Sequence, residues 1–250
     1  MKTTPLFSNI DTGEKYYDEV SHATYKGVAI KTLILLALTF GVAVAVGIAL
    51  PKILVNQESL PIFIGVLIGA AIIALISAIV GRLTEKASKY FSVVYALSEG
   101  LLLGTATALA EEFLAGAGWI ALATTLSIYG IMLILFATGV LRVGTIFRRV
   151  IIAMSLAIVA LSIATIIVAF TAPTIQQYLI WIIIVEAFLL IYGVITLAFN
   201  FEEANMVVKN GCSKDAEWSV ALGMEVSLVY IYIQVLRLIV YIAALVGKNN

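Results

Sequence analysis

Residues 221–238 read Ala221-Leu222-Gly223-Met224-Glu225-Val226-Ser227-Leu228-Val229-Tyr230-Ile231-Tyr232-Ile233-Gln234-Val235-Leu236-Arg237-Leu238. The run is apolar enough to cross a bilayer, yet it carries Glu225, Gln234 and Arg237. Gly223, Ser227, Tyr230, Gln234, Arg237 and Tyr241 follow one another at intervals of four, three, four, three and four, which draws one stripe along a helix. Glu225 stands two residues before Ser227, a rotation of about 200 degrees, so it falls on the opposite side. A helix polar on two opposite faces has no wide face to turn toward lipid. The pattern therefore predicts a C-terminal helix enclosed by other helices.

Composition supplies those other helices. The 250 residues are 62% hydrophobic and only 12% charged, against about a quarter charged in soluble domains, and the mean hydropathy is +1.11. Disordered, coiled-coil and collagen-like chains are excluded, and a formal net charge of zero gives no reason to expect a nucleic-acid partner. Long apolar runs place spans near 28–50, 59–81, 90–112, 117–141, 150–172, 177–200 and 218–247. The stretch from Val150 to Val185 is too long for one span, and Thr171-Ala172-Pro173-Thr174 divides it into a hairpin. The expectation is an all-α membrane protein of seven transmembrane helices, six surrounding a central C-terminal one. Residues 1–27 form a polar tail, with no apolar segment of the kind a cleavable leader needs, and residues 28–250 form the helical domain.

Lysine and arginine set the orientation. With the N-terminus inside, the inner segments hold Lys2, Lys15, Lys26, Arg82, Lys86, Lys89, Arg142, Arg148, Arg149, Lys209 and Lys214, while the outer ones hold Lys52 and Lys248. This bias predicts a cytoplasmic N-terminus and an external C-terminus. The group Arg82-Leu83-Thr84-Glu85-Lys86 reads as a solvated inner loop. Gly65-x3-Gly69 and Gly100-x3-Gly104-x3-Ala108 are positions where helix backbones are able to approach closely.

Four charged side chains fall within hydrocarbon: Glu99, Glu186, Glu225 and Arg237. A lipid-facing charge costs several kcal/mol, so each is expected to face the interior, a partner or water, and each is a functional candidate. At about 1.5 Å per residue, Glu225 lies about 10 Å from the inner boundary, Glu99 about 14 Å, Glu186 about 21 Å and Arg237 about 28 Å. Glu186, Gly193 and Asn200 are spaced by seven, so the sixth span turns one polar face toward the seventh. Arg237 suits an anchoring role, snorkelling to headgroups or pairing with Glu186, Glu111 or Glu112. Glu111 and Glu112 stand at an outer helix end, where they are able to concentrate cations. The interior donors are oxygens, so a bound or transported ion is expected to be hard: calcium, sodium or a proton. Because burial favours the neutral form of an acid, such a path carries an expectation of pH control.

Further likeness lies in whole segments. Asn200-Phe201-Glu202-Glu203 through Gly211, Trp218 and the quoted run, together with Tyr95-Ala96-Leu97-Ser98-Glu99-Gly100-Leu101-Leu102-Leu103-Gly104 and Thr138-Gly139-Val140-Leu141-Arg142-Val143 through Phe147-Arg148-Arg149-Val150, resemble the bacterial branch of the Bax inhibitor family. The resemblance implies six helices around a central C-terminal one and a pH-sensitive calcium leak. It implies gating by acids of the last two helices and a closing arginine at the inner end of the second, where Arg82 is the matching position. Some bacterial relatives instead bind and restrain a membrane-anchored protease. Relatives typically show Leu-Asp-Phe-Asp where this chain has Phe199-Asn200-Phe201-Glu202, and a glutamate at Gln234. The paired-aspartate sensor of other members has no aspartate counterpart, Ser227 standing near its second position.

The leading expectation is thus a cation leak, of calcium in the first place, along the seventh helix. Its ion-pathway or sensing residues are Glu186, Glu225, Glu202, Asn200, Glu99, Ser227 and Gln234, with Arg82 and Arg237 as gating or charge partners. The alternative is a non-conducting regulator that recognises a membrane-anchored protease through the tail 1–27 and the inner loops. An enzyme is not expected, because the single histidine, His22, and single cysteine, Cys212, supply neither a zinc set nor a nucleophile with its base, and no aspartate lies in a span. No cofactor is expected. The bacterial likeness points to an inner-membrane location.

Overall fold

Seven apolar stretches become seven long α-helices in the computed structural model, which describes residues 22–55, 60–138, 145–171 and 174–247. They are α1 (Tyr25–Val55), α2 (Leu60–Leu83), α3 (Glu85–Phe113), α4 (Ala117–Ala137), α5 (Thr145–Thr171), α6 (Ile175–Lys209) and α7 (Ala216–Gly247). All seven are long and apolar enough to cross a membrane. Most of the polar tail, the loop containing Arg142, and Ala172-Pro173 lie outside the described residues.

α7 occupies the centre. It packs against α1, α2, α3, α4 and α6, whereas α5 lies on α6 and makes no contact with α7 among the described residues. From Ala216 to Leu236 nearly every residue of α7 is buried, including Glu217, Glu225, Ser227 and Gln234. α5 is held to α6 by Ser155 and Tyr192, whose hydroxyls are 3.1 Å apart, and by the Trp181 indole, which donates to Thr165 Oγ1 at 3.2 Å. Its Leu156, Val159, Ile163 and Phe170 point outward, as expected of a helix whose remaining circumference faces lipid.

Two boundaries differ from the sequence expectation, each for a local reason. The charged group at Arg82–Lys86 is not a solvated loop: α2 ends at Leu83, α3 begins at Glu85, and only Thr84, with extended backbone (φ −125°), separates them. Arg82 and Glu85 suit those positions because a cation at a helix C-terminus and an acid at an N-terminus both oppose the helix dipole. α6 continues past residue 200 to Lys209, since no glycine or proline interrupts it until Gly211, whose φ of 62° makes the turn. The break between α5 and α6 falls at the anticipated place, and Thr174 caps α6 by accepting from Gln177 N at 3.3 Å.

The two small-residue motifs separate cleanly. A Cβ on Gly100 would lie 2.6 Å from the Thr39 carbonyl oxygen, and one on Gly104 would collide with the backbone of Ala43, so both mark the α1–α3 crossing. Gly65 and Gly69 have nothing within 4 Å of that point among the described residues. Gly100→Leu or Gly104→Leu is therefore expected to cost about 3 kcal/mol or to prevent folding by forcing α1 and α3 apart. Gly65→Leu and Gly69→Leu should leave thermal unfolding in detergent almost unchanged. Equal sensitivity of the two pairs would contradict this packing.

Candidate functional site

Arg82, in the last turn of α2, reaches across the end of the bundle at the α6–α7 turn to both neighbouring helices. Its Nη2 is 2.9 Å from Glu203 Oε2 on α6 and 3.5 Å from Asn200 Oδ1, and its Nη1 donates to the Ser219 carbonyl on α7 at 3.2 Å. The guanidinium fits because residue 223 is glycine: a Cβ there would collide with Nη1 and stand 3.0 Å from Asn200 Oδ1. Behind it, Asn200 Nδ2 donates to the Gly223 carbonyl at 2.8 Å and to Ser227 Oγ at 2.6 Å. Asn200 and Ser227 are both buried and form a neutral hydrogen-bonded pair.

The same face of α7 continues past Tyr230 to Gln234, which is buried with no hydrogen-bond partner for Oε1 among the described residues. Gly193 of α6 lets Tyr230 lie close, since a Cβ there would be 2.8 Å from the ring. Further along, buried Glu186 meets Arg237, with Nη1 3.7 Å from Oε1. Of the three partners the sequence offered Arg237, the structure selects Glu186, and at 55% side-chain exposure the arginine also reaches the bundle surface. Glu111 instead caps α4, accepting from Gly116 N at 2.7 Å and Gly118 N at 2.8 Å.

Glu225 lies on the opposite face, completely buried. Its Oε1 is 2.5 Å from Thr39 Oγ1 on α1, and the same hydroxyl is 3.2 Å from the Ala96 carbonyl on α3. One hydroxyl hydrogen cannot serve two acceptors. The network closes when the carboxyl carries a proton, donates it to Thr39 and lets Thr39 donate to Ala96. Glu99, half-buried, is three residues further along α3. Glu225 and Glu186 thus occupy separate faces of α7. Among the described residues no three His, Cys, Asp or Glu side chains come together as a metal cage.

Glu202 does not join the latch. Both its oxygens are 3.4 Å from Asn205 Nδ2, and Asn205 in turn accepts from the Tyr25 hydroxyl at 2.7 Å. Glu203 takes the position beside Arg82, and the sequence holds the signal for it: Asn200 and Glu203 are three apart and share a face, whereas Glu202 is turned away. The sequence reading also passed over Glu217 and Lys31. Glu217, with a side chain 1% exposed, pairs with Lys31 Nζ at 2.8 Å and accepts from the Thr24 amide at 2.8 Å. Lys31 also donates to the Lys214 carbonyl and lies over the Trp218 ring. His22 bridges to Ser213, and Ala23 N donates to the Cys212 carbonyl at 2.9 Å. The start of α1 is in this way clasped to the turn between α6 and α7.

The arrangement defines a seven-helix membrane protein whose enclosed terminal helix presents polar groups on two faces and is latched at one end by an arginine. Residues 4–244 match the model of the Bax inhibitor 1 like family, and the chain belongs to it. No curated protein and no solved structure matches the chain.

Removing one member of a buried ion pair strands the other, at a cost of about 3–5 kcal/mol, whereas replacing both by apolar residues is often nearly neutral. Glu217→Gln should accordingly lower the unfolding temperature strongly, and Lys31→Met combined with Glu217→Leu should recover much of the loss. A double variant as unstable as the sum of its parts would show that the clasp needs the charges themselves.

Proposed function

We propose that the protein is a cation leak, with calcium as the first candidate ion, whose path follows the polar face of α7 and is closed at its inner end by Arg82. The observation that carries this reading is the guanidinium lodged over Gly223, tied to Glu203, Asn200 and the Ser219 carbonyl. A fixed positive charge at that point repels a permeating cation and joins three helices. Glu186 and Gln234 further along the face, with Glu225 and Glu99 behind it, supply the oxygen chemistry that a hard cation uses. The family resemblance gives the direction. It implies a closing arginine at the end of the second helix, where Arg82 is the matching position, and gating by acids of the last two helices.

In this chain the acid facing Arg82 is Glu203, whose carboxylate is one of three groups that hold the guanidinium. In this reading protonation of Glu186 weakens attraction for the ion. The lysine and arginine bias supports an N-terminus on the inner side, the family resemblance supports a bacterial inner membrane, and the reading involves no catalysed reaction.

Purified protein in liposomes loaded with a calcium dye tests the reading. Arg82→Ala should raise calcium entry about tenfold over wild type. Glu203→Gln should raise it less than Arg82→Ala does, and Glu186→Gln and Glu225→Gln should lower it. If neither wild type nor Arg82→Ala conducts from mildly acidic to neutral pH, the leak is abandoned. The neutral Asn200–Ser227 pair would then favour a non-conducting regulator of a membrane-anchored protease, for which deletion of residues 2–20 should abolish capture of the protease.

A further inference from the structure

At the end of the bundle opposite the α6–α7 turn, a cavity of about 450 Å³ opens among α1, α3, α4 and α7. Its wall is apolar, with Phe40, Val44, Leu103 and Trp119 among its residues, and Gly47 leaves it wide. Val44, Leu109 and Trp119 are themselves exposed, Trp119 at 77%, so the cavity is open sideways, toward hydrocarbon. The volume falls within the range of small-molecule sites, about 300–1,000 Å³.

The polar end is one-sided. Thr107 Oγ1 donates to the Leu103 carbonyl at 2.8 Å. With that hydrogen committed, the buried Tyr232 hydroxyl, 2.9 Å from Thr107 Oγ1, is the donor of the pair. Tyr232 therefore offers only lone pairs to a further partner. Glu111 takes the α4 amides as its donors, its carboxylate is an acceptor, and Glu112 beside it is exposed. Neither acid enters an ion pair among the described residues. The acceptors converge: a Cβ on Gly118 would be 3.0 Å from Glu111 Oε1 and 3.5 Å from the Tyr232 hydroxyl.

We propose that this cavity binds a single-tailed amphiphile carrying an ammonium head, the tail lying between α1 and α4 and the head against Tyr232, Glu111 and Glu112. An apolar slot whose polar end has acceptors and negative charge is complementary to a ligand that brings donors and positive charge. A fatty acid would put its carboxylate against Glu112, and a neutral alcohol would leave the acid rim without a counter-charge. The proposal does not depend on conduction.

The test uses full-length protein in phosphatidylcholine nanodiscs, with a terminally brominated dodecylamine and the matched alcohol and carboxylate as probes. Quenching assigned to Trp119 is the difference between wild type and Trp119→Phe. The amine should quench saturably at about tenfold lower concentration than the alcohol, and the carboxylate should show no saturable phase. Glu112→Gln, a change on the exposed rim, should bring amine and alcohol together. Gly47→Phe, at a position with nothing within 4 Å of a Cβ, fills the slot and should remove saturation for every probe. Equal quenching by amine and alcohol in wild type, preference for the carboxylate, or unaltered amine quenching in Gly47→Phe would each overturn the proposal.

Discussion

Hydrocarbon gives polar side chains no partner, so a membrane helix with polar groups on opposite faces must find other helices on both sides. α7 is such a helix. Its Gly223–Ser227 face is met by Asn200 of α6 and Arg82 of α2, and its Glu225 face by Thr39 of α1 and the backbone of α3 at Ala96. The rest of the bundle follows from that demand. α1 and α3 must close behind Glu225, and they do so through Gly100 and Gly104, which let α3 approach α1 at Thr39 and Ala43. α2 must carry a cation to the N-terminal end of α7, and it ends immediately after doing so, at Leu83. α5 carries no charge between Val150 and Thr171 and has no polar group for α7 to satisfy, and it is the one helix left outside this contact.

The architecture was legible because its cause is periodic. A three-and-four spacing on residues 223–241 announces one polar face, and a single acid displaced by two residues announces the other. Hydropathy and a proline-bearing break supplied the count of helices. Local contacts were less legible. The charged cluster at Arg82–Lys86 looks like a loop to any reading by composition, but two helices meeting at one extended residue use the same charges as dipole complements. Gly65 and Gly69 carry the same signature as Gly100 and Gly104, and nothing in their spacing reveals which pair has a neighbour. The Lys31–Glu217 pair joins residues far apart in sequence, and no periodicity within a single helix points across that distance.

At the latch, the sequence named Arg82, Asn200 and Ser227 and set Glu202 beside them, whereas the acid in place is Glu203. The difference follows from helical rotation: Asn200 faces α7, the residue three further on shares its side, and the residue two further on turns toward Asn205 and Tyr25. Chemistry alone could not separate two adjacent glutamates. The extension of α6 to Lys209 was needed as well, because a helix stopping at residue 200 gives neither acid a defined direction.

The neutrality of the Asn200–Ser227 pair bears on what holds Arg82. With two carboxylates behind it, an arginine is bound chiefly by charge. Here the pair behind it is neutral and self-satisfied, and the charged partner sits one turn nearer the helix end, with side-chain exposures of 31% for Arg82 and 26% for Glu203. A partly exposed ion pair is worth about 0–1 kcal/mol, whereas a hydrogen bond from a charged donor to a shielded acceptor contributes about 1.5–3 kcal/mol. On those magnitudes the Ser219 carbonyl and Asn200 Oδ1 hold the guanidinium at least as firmly as Glu203 does. Closure in this chain then depends mainly on the backbone position of α7 relative to α2, which Gly223 permits by leaving room for the guanidinium, and only secondarily on the protonation of one acid. A latch built in this way responds to displacement of the terminal helix more than to proton concentration.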